Sequence, residues 1–330
     1  MAKEKLNDAL FWQKERNGVR CELCSWRCFI PKGKLGECGV RKNIDNSLYS
    51  LNYGKITSFG PKPVESIPMF HFYPNSKTFF IGTVGSSFKF DFKEDGGKEK
   101  EVSIKKMYSE IEKSKTYSAT FGGGDPVVDM EYVLELMKMN KKRGIANVLV
   151  TNGYLTNETN KKIDKFLDGI VLESYASLQK DFYKEHCGIE DTAPIRVFLK
   201  QMKKHRIHIE VSNVIVPQIG EDLESFRRFT DFVTAIIDSY TPIHIVPFKP
   251  AGKLTHVPKT STALLEKFWE TAKEEGMRNV FAHGISGRED TICYNCNHIL
   301  ITRKNGVVQK IDMQKDRCSS CGLKINMVIK

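Results

Sequence analysis

Nine cysteines supply the clearest chemistry in this chain of 330 residues, and eight of them fall into two sets. The later set reads CYNC at 293–296 and CSSC at 318–321. Two C-x2-C pairs, joined by HILITRKNGVVQKIDM with its Asn305-Gly306 turn, place four thiolates around one point, as in a zinc ribbon or rubredoxin. Zinc is the expected occupant of Cys293, Cys296, Cys318 and Cys321, because four closed thiolate positions leave no site for a substrate and serve the fold. Iron in the same cage would transfer electrons. The earlier set, Cys21, Cys24, Cys28 and Cys38, comes from CELCSWRC and GECG. Gly33, Gly36 and Gly39 allow the tight turns such a segment needs, and its expected occupant is either zinc or an iron–sulfur cluster. Cys187, in KEHCGIE, stands alone and reads as a partly buried free thiol.

These cysteines flank a long α/β region. From Thr78 onward short β-branched or aromatic runs alternate with amphipathic segments. The expected strands are 78–82, 117–121, 147–151, 169–173, 208–216, 243–248 and 279–283, with helices such as MEYVLELMKMNKK and LESFRRFTDFVTAIIDSY between them. Strand and helix repeated this often mean a parallel sheet, either doubly wound or a full or partial barrel, with function in the loops after the strands. The chain divides accordingly into a Cys-rich metal-binding segment at 1–76, the α/β region at 77–286 and a C-terminal knuckle at 287–330.

With 40% hydrophobic residues, the chain is not a disordered protein. No apolar run is long enough to cross a bilayer and the charged start lacks a signal-peptide core, so a cytoplasmic, membrane-free protein is expected. The formal charge is +11, and a zinc tetrathiolate contributing −2 at each cysteine set brings it to +7. The basic runs at 138–144 and 199–206 close expected helices, where cations complement the helix dipole. No Walker loop, H-E-x-x-H motif, catalytic triad or paired-carboxylate site is present.

The segments RCELCSWRCFIPKGKLGECGVRKN, LYSLNYGKI, HFYPNSKTFFIGTVG, VLVTNGYLT, DFYKEHCG and EDTICYNC together resemble the radical SAM member of the AmmeMemoRadiSam group, related to pyruvate formate-lyase activating enzymes. The resemblance implies a radical SAM-type partial (β/α) barrel of seven strands or fewer, with a zinc-ribbon or rubredoxin-like knuckle behind it. It also implies a C-x3-C-x2-C loop after the first strand. There three thiolates hold a [4Fe-4S] cluster, whose free iron binds S-adenosylmethionine and whose electron cleaves it to a 5′-deoxyadenosyl radical.

In TVGSSFKFDFKEDG the three corresponding positions are Ser86, Phe90 and Lys93, and none is a cysteine. Asp91, Glu94 and Asp95 are hard oxygen donors unsuited to the cluster, and Lys93 is a cation. Radical SAM activity is therefore not expected, and the Gly96-Gly97 flank reads as a flexible surface turn. The residual cofactor positions implied by the resemblance are Gly123, Gly124 and Asp125 in FGGGDP, and Asn152 before Gly153. ESYAS stands where the family tends to carry an Asp-x-Lys pattern. His244 reads as a satisfied core histidine.

Three functional readings follow. The first is a metal-stapled, non-catalytic relative that binds a ligand or a protein partner. By family analogy that partner is a Memo-like protein, an AMMECR-type protein or a radical SAM paralogue. The second is an enzyme using an iron–sulfur cluster on the N-terminal cysteines. The third is an RNA- or ribosome-associated protein, for which the sequence shows no aromatic-and-basic stripe.

Overall fold

The structure is a computed structural model that describes residues 6–92 and 97–330. Seven strands run parallel: β1 Lys77–Thr83, β2 Ser118–Gly123, β3 Ala146–Thr151, β4 Gly169–Tyr175, β5 His208–Ile215, β6 Ile243–Pro247 and β7 Val280–Ala282. Each pairs with its sequence neighbours in the order in which it is made. The fold is therefore α/β and singly wound, which settles the alternative left by the sequence against a doubly wound sheet. The sheet is open, ending at β7 on one side. On the other side the antiparallel strand Lys55–Pro63 pairs with β1 and then with Lys100–Glu101. The sheet thus takes in residues that lie before the expected division at residue 77.

Among the described residues seven helices connect the strands: α1 Ile104–Ser114, α2 Met130–Lys142, α3 Asn157–Ile163, α4 Lys180–His186, α5 Ala193–Lys204, α6 Leu223–Ile236 and α7 Thr262–Glu274. Ser103, Thr156, Asp222 and Ser261 cap α1, α3, α6 and α7 by accepting a backbone N–H of the first turn. The basic runs do end helices, as expected, and within them Lys141 pairs with Asp168 and Lys203 with Asp238. Among the described residues no helix is long and apolar enough to cross a membrane.

Alternation along each strand splits the sheet into two faces. Phe121, Leu149, Leu172 and Val211 belong to the main core with Phe198, Phe226 and Phe268 of the helices. Val148 and Val171 face the other way, onto Val64, Ile67, Met69 and Phe72 of the segment that leads into β1. Glu210, between Ile209 and Val211, shares this second face and is fully buried there.

The N-terminal segment forms two small three-stranded antiparallel sheets, one of Trp12–Glu15, Gly18–Cys21 and Phe29–Pro31, the other of Asn7–Asp8, Arg41–Ile44 and Ser47–Ser50. At the other end, Ile299–Lys304 and Val307–Ile311 form the expected hairpin. Its turn places Asn305 and Gly306 at φ 51° and 72°, the left-handed conformation that selects this dipeptide.

Candidate functional site

The loops after β1, β2 and β3 meet at the C-terminal ends of the parallel strands. The glycines after β2 are there because backbones touch. A Cβ on Gly124 would lie 2.6 Å from the Gly85 carbonyl oxygen and 2.8 Å from that of Thr83. Gly124 and Asp125 donate their backbone N–H groups to Thr83 O and Gly85 O. The Asp125 carboxylate then accepts from Ser87 Oγ at 2.7 Å and Thr151 Oγ1 at 2.9 Å. Asn152 donates to Ser87 Oγ at 3.0 Å and accepts from the Tyr154 N–H. All four residual cofactor positions, Gly123, Gly124, Asp125 and Asn152, are thus brought together, with polar atoms of Asp125 and Asn152 spent on neighbouring loops.

Residues 86–92, directly after β1, turn inward, whereas the surface turn expected at Gly96-Gly97 falls where Gly96 and the charged residues before it lie outside the described residues. Ser86 accepts the Phe88 N–H and closes a turn. Phe88 and Phe92 are then buried, and with Phe90 they form a run of edge-on aromatic contacts. Phe88 packs on Tyr154 and Tyr183, Phe90 on Tyr175, and Phe92 on Tyr175, Phe182 and Phe248. Burial of each such ring stabilises by roughly 1.5–3 kcal/mol, which is the physical reason the segment turns inward. The signal was present in F-K-F-D-F, whose alternation puts three aromatic rings on one side. Asp91 points away to His186, 3.3 Å, and Lys253, 3.6 Å. Lys93, Glu94, Asp95 and Gly96 lie outside the described residues.

What remains between Ser86, Phe90, Gly123, Gly124, Asp125, Asn152 and Glu173 is a cavity of about 40 Å³. Pockets that hold cofactor-sized ligands run to about 300–1,000 Å³.

The N-terminal cysteine segment covers these strand ends. Trp26 donates its indole N–H to the Ser87 carbonyl at 2.7 Å, Ser25 donates to the carbonyls of Tyr154 and Leu155, and Cys24 bridges to Leu155. Cys21 and Cys24 are buried, whereas Cys28 and Cys38 are half-buried. Burial pushes the Cys28 thiol up to about 11 and the Cys24 thiol well above its usual range. Arg41 is buried beside them, paired with Glu131 and donating to Cys21 Sγ at 3.6 Å. Cys187 also differs from expectation: it is fully buried, at the C-terminal end of α4, where its N–H bonds to Tyr183 O.

At the other end of the chain the four sulfurs of Cys293, Cys296, Cys318 and Cys321 lie within 4.8 Å of one another. Cys293 and Cys321 are 3.6 Å apart, as are Cys296 and Cys318. Zinc bonds of about 2.3 Å directed tetrahedrally separate sulfurs by about 3.8 Å, so the cage fits a single four-coordinate ion. The Leu323 N–H draws the Cys321 thiol down to about 6, ready for metal.

A polar network buried on the sheet's second face was not foreseen from the residues. Glu210 accepts the backbone N–H groups of Phe70 and His71, both at 2.8 Å, and bonds to His208 at 2.9 Å and His244 at 2.7 Å. His244 is satisfied, as expected, but it is not alone: its Nδ1 meets His283 Nε2 at 2.9 Å. Arg303, from the C-terminal hairpin, donates to Phe70 O and to Thr291 Oγ1, which in turn meets His71 Nε2. The only advance signal was a glutamate and a histidine inside otherwise apolar strands.

Singly wound strands, a glycine-rich turn after β2 and loops converging on one sheet end accompany a clear sequence relationship. A family model described as a 4Fe-4S single cluster domain matches residues 87–185. That stretch contains no cysteine. By this match and by its sequence relatives the chain is related to the radical SAM, pyruvate formate-lyase-activating-enzyme-like family.

Its relatives include the uncharacterized protein MJ0808 of Methanocaldococcus jannaschii, 30% identical over 98% of this chain and 100% of the relative. The pyruvate formate-lyase-activating enzyme of Staphylococcus epidermidis is 24% identical over 46% of this chain, which spans 64% of that enzyme's length. Among solved structures, a radical SAM methyltransferase from Sphaerobacter thermophilus aligns with a TM-score of 0.49 and 10% identity, covering 64% of this chain and 67% of its own.

Proposed function

We propose that this protein is a radical SAM-type partial (β/α) barrel whose S-adenosylmethionine-cleaving site has closed, leaving a non-catalytic, metal-stapled binding protein. The observation that carries this reading is the replacement of the cluster loop by Phe88, Phe90 and Phe92, which leave a cavity of about 40 Å³ at the strand ends. Ser86 offers a hydroxyl and Phe90 nothing to iron, and the soft thiolates that a [4Fe-4S] cluster requires are missing from the whole matched segment. In this reading Asp125 and Asn152 hold loops together rather than a cofactor. Zinc in the C-terminal cage staples the hairpin whose Arg303 closes the inner face.

The surface that this design leaves for work is the N-terminal segment seated over the strand ends. Its partner is a protein: a Memo-like or AMMECR-type protein, or a radical SAM paralogue, as the resemblance to the AmmeMemoRadiSam group suggests. The nucleic-acid alternative draws no support from the basic runs, where Lys141 and Lys203 are ion-paired at helix ends.

The test is equilibrium dialysis of S-adenosylmethionine against protein reconstituted anaerobically with iron and sulfide, followed by chromatography for 5′-deoxyadenosine after dithionite. No saturable binding and no 5′-deoxyadenosine are expected. Catalytic formation of 5′-deoxyadenosine would overturn the reading.

A further inference from the structure

The two four-cysteine sets differ in a way that separates their occupants. In the C-terminal set the sulfurs crowd together as a mononuclear ion requires, and among the described residues it is the only such set within 4.8 Å. The N-terminal sulfurs are more widely spread, yet they come from one small region: Cys21 donates its backbone N–H to Cys28 O at 2.9 Å, the N–H of Glu37, next to Cys38, meets Cys28 Sγ at 3.5 Å, and Arg41 reaches Cys21 Sγ at 3.6 Å. A tetrathiolate zinc site would draw such sulfurs to about 3.8 Å. A cubane cluster keeps them farther apart, because each thiolate binds a different iron.

The surroundings of two of the sulfurs suit bound thiolates. The N–H of Glu37 meets Cys28 Sγ at 3.5 Å. Cys21 Sγ receives the Arg41 guanidinium at 3.6 Å. Such donors, one of them a buried cation, are a means by which a protein stabilises the negative charge of a thiolate-bound cluster and sets its potential.

We propose that Cys21, Cys24, Cys28 and Cys38 ligate a [4Fe-4S] cluster, one thiolate to each iron, seated over the C-terminal ends of the parallel strands. All four irons are then closed by protein sulfur, so no iron is left open to the amine and carboxylate of S-adenosylmethionine. The cluster belongs to the N-terminal segment that Trp26 ties to Ser87 O, and not to the loop after β1 that the resemblance implies. The inference stands independently of the closed site above, since a cluster here and the absence of S-adenosylmethionine cleavage are read by separate assays.

The test is the iron, acid-labile sulfide and zinc content of the full chain after anaerobic reconstitution. About four irons and four sulfides alongside one zinc are expected, with a broad visible absorbance that bleaches with dithionite. Cys28→Ser and Cys38→Ser, at the two half-buried positions, should each lose most of the iron and sulfide while keeping the zinc. Because a misfolded variant would also lose iron, far-ultraviolet circular dichroism and retained zinc establish that each variant is folded. Two zincs with no sulfide would overturn the proposal. So would undiminished iron and sulfide in folded Cys28→Ser and Cys38→Ser, which would place the cluster elsewhere. Iron without sulfide would assign a rubredoxin-type centre instead, and would equally overturn it.

Discussion

Replacing His71 by glutamine should remove a proton-dependent part of this protein's stability. His71 is fully buried, and its two ring nitrogens meet different partners: Nδ1 meets the Asn326 carbonyl at 3.1 Å and Nε2 meets Thr291 Oγ1 at 3.2 Å. Neutral imidazole satisfies both, donating from Nδ1 and accepting at Nε2. A second proton would set Nε2–H against Thr291, whose hydroxyl oxygen already accepts from the Arg303 guanidinium. Desolvation, opposed by Glu210 and reinforced by Arg303, lowers the imidazole from its ordinary 6.5 to about 3. The unfolded chain therefore takes up this proton first, and stability falls as the pH drops from about 6.5 toward 3. Between pH 7 and pH 5 one such group costs about 2 kcal/mol. The assay is urea denaturation of wild type and His71→Gln, followed by tryptophan fluorescence at both pH values. The lost hydrogen bonds and any acid release of metal burden both measurements alike, so the quantity of interest is how the gap between the two proteins changes. The gap should shrink by about 2 kcal/mol on acidification. A gap constant to within about 0.5 kcal/mol would refute the assignment of a buried neutral imidazole.

Other perturbations probe other parts of the same design. Phe92→Ala, which empties the centre of the aromatic plug, should cost about 3–5 kcal/mol in urea unfolding, and a loss below about 1 kcal/mol would mean that the ring does not fill the strand ends. Asp129 is buried with neither carboxylate oxygen partnered, and desolvation followed by Glu131 holds its carboxyl well above the usual range. Its contribution is full below the ordinary carboxylate range and is lost as pH rises, so Asp129→Asn should be more stable than wild type by at least about 1 kcal/mol at pH 7, with the gain disappearing near pH 4. Stripping metal from the C-terminal cage should speed amide exchange not only in 291–328 but also at Phe70 and His71, whose N–H groups bond to Glu210 beneath Arg303. Exchange confined to the hairpin would disconnect the cage from the inner face.

Most of the scaffold could be read from residues alone. Alternating β-branched runs located all seven parallel strands to within a residue or two, because packing between two apolar layers demands that pattern. The C-terminal cage was equally legible, since two C-x2-C pairs around an Asn-Gly hairpin allow few other arrangements. The loop after β1 was half legible. Its missing cysteines were plain, but the inward alternation of Phe88, Phe90 and Phe92 was passed over in favour of the absent ligands. Glu210 was harder still. Its partners come from positions 70, 71, 208 and 244, and only the folded sheet makes such distant residues neighbours.

Residues 303–328 carry a consequence for how the chain is made. Val328 pairs with Phe72, Asn326 O receives His71, and Arg303 seals Phe70, so the layer that covers the inner face is completed by residues made long after those it covers. While the ribosome is still releasing this segment, Glu210 and its histidines have no roof, and the apolar residues around Met69 and Phe72 stand open. Domains generally fold as units during synthesis, but this layer cannot close until residues 303–328 have left the exit tunnel. A chain cut short before Arg303 would then keep an exposed, sticky interior, a substrate for chaperones and proteases.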